Sequence, residues 1–196
     1  MLVARKVDSS QANGPGCRSV VWLQGCEAKC AGCCNPELQP MFSNAAKAIS
    51  SKNIAEWFVN NLEQDNSLRG LTLSGGEPLH PRHIDEVLDF LSECRLQASR
   101  KFDVMVFTGF QVLPKNLSNI DMLIAGPYMI ELNNKNGIVS SNNQNIIRMT
   151  DAFADISDDV LINGKRIIEV RIQDGVVMTT GLSSIDESMK IIGQKS

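Results

Sequence analysis

Residues 18–37 read RSVVWLQGCEAKCAGCCNPE. The first seven are rich in β-branched and aromatic side chains and end at Gly25, which predicts a buried strand over 18–24 running straight into a cysteine loop. Four of the chain's six cysteines, Cys26, Cys30, Cys33 and Cys34, fall in that loop; Cys17 and Cys94 are the other two. Such crowding asks which thiols act together.

The rest of the chain bounds the answer. Its 196 residues suit one domain, and 43 % hydrophobic content is enough for a core. The formal net charge is -3 and the basic residues are scattered, so no broad positive face for nucleic acid is indicated. No run approaches the ~18 apolar residues of a membrane span. The opening MLVARKVDSSQANGPG has no apolar stretch long enough for a signal peptide. These features point to the cytoplasm. Thiols stay reduced there, so clustered cysteines read as metal ligands or catalytic groups before disulfides.

Outward from the loop, strand and helix patterns alternate. Ile54, Trp57, Phe58, Val59 and Leu62 recur at helical spacing within 52–64. Leu71–Leu73 form a short strand ending at Ser74-Gly75-Gly76, and a helix follows over about 83–96. DVMVF (103–107) ends at Thr108-Gly109, and DMLIA (121–125) ends at Gly126-Pro127. This is the βαβ pattern of a parallel α/β sheet. The Asn-rich run 133–145 reads as a surface loop. Asp174-Gly175, between Ile167–Ile172 and Val176–Met178, predicts a C-terminal β-hairpin. No linker divides the chain, which reads as one domain, 1–196, with a core of about 14–130 and an extension of about 131–196.

The thiols offer two spacings. Cys30-x-x-Cys33 is half a zinc site, or a redox dithiol. A zinc site needs four ligands, and no second pair follows; Cys17, Cys26, Cys30 and Cys33 together would supply them. A dithiol explains neither Cys26 nor the glycines around it. Cys26-x3-Cys30-x2-Cys33 instead suits three corners of a cubane [4Fe–4S] cluster, leaving one iron open where a fully protein-ligated cubane has four thiolates.

At these residues the chain resembles the radical S-adenosylmethionine (SAM) superfamily, whose signature is CxxxCxxC in a loop after the first strand of a partial (βα) barrel. Ser74-Gly75-Gly76-Glu77-Pro78 resembles the GGEP-type segment that lies along the methionine part of SAM. The residues suit that role: Gly75 and Gly76 let backbone approach a ligand, and Glu77 offers an anionic acceptor to an ammonium. Further segments resemble the small activating enzymes of anaerobic ribonucleotide reductase and related compact single-cluster proteins. They are Gly14-Pro15-Gly16-Cys17-Arg18, Trp22-Leu23-Gln24-Gly25-Cys26, Cys33-Cys34-Asn35-Pro36, Phe107-Thr108-Gly109-Phe110, Asp121 to Tyr128 and Ser141-Asn142-Asn143-Gln144. Ala125 stands where that family has Asp, and no Arg follows Gln144.

The resemblance implies a partial (βα) barrel of parallel strands, extended by the hairpin. Cys26, Cys30 and Cys33 would hold the cluster. Ser74, Gly75, Gly76, Glu77, Thr108 and Gly109 would form the SAM shell, at the C-terminal strand ends where parallel folds bind ligands. Flavodoxin or ferredoxin would supply one electron, and cleavage of SAM would give a 5′-deoxyadenosyl radical for hydrogen abstraction. The substrate implied is a glycine of a glycyl-radical enzyme; the alternative is a peptide or small molecule in a biosynthetic pathway. Cys17 and Cys94 read as core cysteines. Cys34 reads as a buried thiol in a position that relatives often fill with an aromatic residue, turned away from the cluster by the alternation of an extended segment; the alternative is a substrate or radical-relay thiol.

Overall fold

The computed structural model describes residues 1–173 and 176–181. Its strands and helices, in chain order, are β1 (Leu2–Ser10), β2 (Cys17–Leu23), β3 (Lys47–Ala48), α1 (Ser51–Gln64), β4 (Leu68–Gly75), α2 (Ile84–Gln97), β5 (Asp103–Thr108), β6 (Met122–Ala125), β7 (Asn145–Arg148), α3 (Asp158–Asn163), β8 (Glu169–Gln173) and β9 (Val176–Thr180). Seven strands form one sheet in the order β3-β1-β2-β4-β5-β6-β7. The four central strands are parallel neighbours, in register from Cys17↔Leu68 to Thr108↔Ala125.

The α/β class agrees with the sequence, but the sheet is mixed rather than wholly parallel. β1 and β3 add antiparallel strands at one edge and β7 adds one at the other. The period-2 alternation of the strands explains the layering. Val21, Leu23, Leu71, Leu73, Val104 and Val106 face the core filled by Ile54, Phe58 and Leu62 of α1 and Val87, Phe90 and Leu91 of α2. On the other face Met105, Met122 and Ile124 pack on Val139, Phe153 and Leu161, while Val20 and Trp22 pack on Leu38. Both faces of the central strands are thus covered, which is why those strands read as unbroken apolar runs. α1 begins at Ser50, whose side chain accepts from the Asn53 N–H, a regular N-cap. Cys94 is buried in the main core and Cys17 packs at its margin.

The run 133–145 differs from the expected surface loop. Asn134, Val139 and Ser141 are buried, and Asn133 bridges Ser141. The Asn134 side-chain amide donates to the Ile162 carbonyl at 2.7 Å. Polar composition concealed this because the buried groups are satisfied by hydrogen bonds rather than by apolar packing. β8 and β9 pair antiparallel as a separate two-stranded sheet. The Asp174-Gly175 turn expected between them lies outside the described residues. Asn13 ties this sheet to the N-terminal loop by donating to the Thr180 hydroxyl at 2.7 Å.

The N-terminal ends of the parallel strands are locked by a buried ion pair. Arg18, in the GPGCR segment, is fully buried on β2. Its guanidinium meets the Asp103 carboxylate of β5 at 2.6 Å and donates to the Thr72 hydroxyl at 2.7 Å and the Leu71 carbonyl at 2.8 Å, both on β4. Gly14 makes room for it: φ is +139°, and a Cβ there would stand 2.7 Å from Arg18 Cδ. Asp103 also pairs with Arg69 at 2.6 Å. Removing one member of such a network strands a buried charge. Asp103→Ala is therefore expected to cost about 3–5 kcal/mol, read from the chemical-denaturation midpoint of the full chain.

Candidate functional site

The parallel strands deliver four segments to their shared C-terminal end. The cysteine loop follows β2, Ser74–Glu77 closes β4, Thr108–Gly109 closes β5, and Gly126–Tyr128 follows β6. They line one cavity of about 160 Å³. All the sequence-predicted site residues line it: Cys26, Cys30 and Cys33, Ser74, Gly75, Gly76 and Glu77, and Thr108 and Gly109.

Backbone bonds hold the loop at its root. The Gly25 N–H donates to the Leu38 carbonyl at 2.8 Å and Cys26 N–H to Gln39 at 2.9 Å. The buried Gln24 amide donates to the Pro40 carbonyl at 2.6 Å. The two glycines of SGGEP have a structural reason of their own. A Cβ on Gly75 would fall 2.6 Å from the Leu23 carbonyl oxygen, and one on Gly76 would fall 2.3 Å from that of Gly25. They let the end of β4 lie against the root of the cysteine loop, where Gly76 N–H and Glu77 N–H donate to Leu23 and Gly25 at 2.8 Å each.

Glu77 differs from the simple picture of a carboxylate waiting for an ammonium. It is 2 % exposed. Its Oε1 accepts from the Thr108 hydroxyl at 2.7 Å and the Leu79 N–H at 3.0 Å, and its Oε2 from the Gly109 N–H at 2.7 Å. Burial pushes its pKa above the usual carboxylate range against the pull of those three bonds. His83 Nε2 lies 2.7 Å from the Glu77 carbonyl oxygen, and His80 lies 3.6 Å from Glu27 of the loop.

The thiols are unequal. Burial raises the pKa of Cys26 and Cys30. A hydrogen bond from Cys34 draws Cys33 down to about 6. Cys34 does not stand apart from the candidate site as expected from an extended segment: it is half-buried and lines the same cavity as Cys33. The chain bends here, with Gly32 at φ +71° and the Cys33 N–H donating to the Cys30 carbonyl at 3.3 Å, so strict alternation fails.

Sequence reading missed the far wall. Gln144 donates to the Gly126 carbonyl at 2.9 Å while its oxygen accepts from Ser140, and Asn143 donates to the Pro127 carbonyl at 2.8 Å. This latch shapes the segment carrying Tyr128, which lines the cavity with Gln144, Ser140 and Arg166. The SNNQ resemblance was the available signal for Asn143 and Gln144; nothing marked Arg166.

Thiols and glycine-rich backbone fit an iron–sulfur cluster by donor chemistry and by sharing one cavity. Among the described residues, no three His, Cys, Asp or Glu side chains converge closely enough to hold a metal ion. The fit is therefore one of donor set and placement.

The chain belongs to the 4Fe-4S single cluster domain family, whose profile matches residues 12–147. Within the radical SAM class it is similar to anaerobic ribonucleoside-triphosphate reductase-activating proteins. The protein of that name from Haemophilus influenzae is 34 % identical over 126 residues, 61 % of this chain and 79 % of the relative. That of Enterobacteria phage T4 is 30 % identical over 143 residues, 71 % of this chain and 88 % of the relative. That of Escherichia coli K12 is 29 % identical over 127 residues, covering 61 % and 80 %.

The glycine geometry gives a paired test. Gly76→Ala is expected to destabilise by about 1–3 kcal/mol or more, because backbone must move. Gly109→Ala, whose Cβ would meet nothing nearer than Glu77 Oε2 at 3.4 Å, is expected to cost under ~1 kcal/mol. Thermal denaturation of the two variants side by side reads the difference.

Proposed function

We propose that this chain reductively cleaves SAM at a [4Fe–4S] cluster and so activates a glycyl-radical enzyme, most specifically an anaerobic ribonucleotide reductase. The observation that carries the reading is the cavity at the C-terminal strand ends, which the CxxxCxxC cysteines and the SGGEP segment line together. The names of the similar proteins supply the target class. Cys26, Cys30 and Cys33 are the cluster ligands in this reading. Bound together, the cluster and SAM supply one-electron cleavage for hydrogen-atom abstraction, with flavodoxin or ferredoxin as reductant.

The chain's own residues position and exclude. Ser74, Gly75 and Gly76 present backbone toward the methionine part of SAM, and Thr108 and Gly109 form the opposite wall. Glu77 holds those walls together, and its remaining acceptor capacity faces the ligand. Tyr128 and the Gln144 latch close the side beyond β6. In this reading the parallel run β2-β4-β5-β6 serves as the wall of a partial (βα) barrel within a single domain, and the protein works in the cytoplasm. No described helix is long and apolar enough to cross a membrane.

A second reading, modification of a peptide or small molecule, draws on one observation. Ala125, in place of the family's Asp, is 2 % exposed at the end of β6 and offers no carboxylate to a partner.

Cys26→Ala, Cys30→Ala and Cys33→Ala are each expected to lose the brown chromophore and SAM cleavage after anaerobic reconstitution. Cys17→Ala and Cys94→Ala are expected to keep both. Full iron content in Cys30→Ala would overturn the cluster assignment. Incubation of the reduced protein with SAM and an anaerobic ribonucleotide reductase is expected to give a glycyl electron-spin-resonance signal. SAM cleavage without that signal favours the second reading.

A further inference from the structure

We propose that a larger cavity, at the N-terminal ends of the parallel strands, is a second binding site, for a small apolar carboxylic acid held as its anion. The proposal is independent of the cluster and of SAM.

The walls come from segments far apart in sequence. They are the Gly14–Cys17 segment that enters β2, Ser67 ahead of β4, Gly137-Ile138, and the run from the end of α3 to Ile167. The cavity holds about 430 Å³, within the roughly 300–1,000 Å³ of small-molecule sites. Its lining includes buried aliphatic groups: Leu161 is 1 % exposed and Ala12 5 %. Val160 and Ile167 also line it yet stay 52 % and 39 % exposed, apolar surface that the described residues leave uncovered. The polar groups along these walls are engaged within the protein. Ile138 N–H and Val139 N–H donate to the Leu161 carbonyl at 2.8 and 3.2 Å, and Gly137 N–H donates to the Gly164 carbonyl at 2.6 Å. Ser67 gives its N–H and its hydroxyl to Asp65, at 2.8 and 2.6 Å. Walls of this kind suit a hydrocarbon body.

Charge defines the other end of the ligand. Lys165 and Arg166 line the cavity, and among the described residues no Asp or Glu does. Carboxylates close by are engaged elsewhere. Asp155 pairs at 2.7 Å with Arg69, whose stem packs on Gly16, and Glu169 accepts from the Gln11 N–H at 2.7 Å. Arg166 is drawn toward the candidate site: its Nε donates to the Gly137 carbonyl at 3.3 Å and its Nη2 to the Asn134 carbonyl at 2.5 Å, and it lines that cavity as well. Lys165 is the cation left to meet a ligand. It is exposed and pairs with no carboxylate among the described residues. An ammonium on a flexible stem is a single point charge, which suits a monoanion; a phosphate calls for several converging donors. An apolar chamber with one such cation therefore selects an amphipathic carboxylate.

The test is equilibrium dialysis of the full chain with labelled octanoate and with labelled 1-octanol, the same body without the charge. Octanoate is expected to saturate a single site per chain and to bind at least about fivefold more tightly than octanol. Lys165→Glu leaves the apolar walls intact; it is expected to cancel that preference and to leave octanol binding unchanged, which a general loss of structure would not do. Val160→Trp sets an indole at an exposed position of the lining and is expected to weaken both probes by a similar factor, with the thermal midpoint retained. Absence of saturable binding by the wild-type chain would overturn the proposal, as would equal affinity for the two probes. Octanoate binding that survives Val160→Trp unchanged would place it elsewhere on the molecule and overturn the site.

Discussion

The Glu77 residue binds three strand ends into one wall, and the candidate site depends on it. Its N–H donates to Gly25 at the root of the cysteine loop, and its carboxylate accepts from Thr108, Gly109 and Leu79. A carboxylate nearly out of water is tolerable only when its lone pairs are taken up by donors. Those donors must therefore be present, and their presence fixes β4 against β5. Gly75 and Gly76 follow from the same constraint. Without a Cβ, the backbone carrying Glu77 reaches the Leu23 and Gly25 carbonyls; with one it would collide with them.

The polarity of the sheet then divides the work between its two ends. At the N-terminal ends, Arg18, Asp103 and Arg69 consume one another's charge and bind β2, β4 and β5 side by side. A larger cavity, about 430 Å³, opens there beside Gly14–Cys17, but its lining offers Cys17 as its one thiol and no carboxylate. At the C-terminal ends the strands stop and leave glycine-rich backbone, thiols and a braced carboxylate around a smaller space. Volume does not choose the site; the chemistry of the walls does.

The parallel centre was legible because its strands are buried on both faces and carry continuous apolar runs that end in glycine. The site was legible for the same reason: Cys26, Cys30, Cys33 and the SGGEP residues lie where predicted strands stop. The edges were not. β1 carries Arg5, Lys6 and Asp8, as an outer strand often does, so its periodicity is weak, and β7 is four residues at the end of an Asn-rich run. The latch of Asn143 and Gln144 was marked only by the resemblance of Ser141–Gln144 to a family segment; its work is done by side-chain amides on distant carbonyls, which no local periodicity announces.

Those illegible parts border the candidate site. β1 places Arg5 against Trp22, at the back of the loop that β2 delivers. β7 ends the latch that holds Gly126 and Pro127 across the cavity. The parallel strands fix where the candidate site lies, and the antiparallel edges decide what surrounds it. A relative could keep every residue of CxxxCxxC and GGEP yet differ in both edges. Its cluster would then have the same ligands in a different electrostatic field, which is how one loop sequence comes to serve reactions that need different potentials and different substrates.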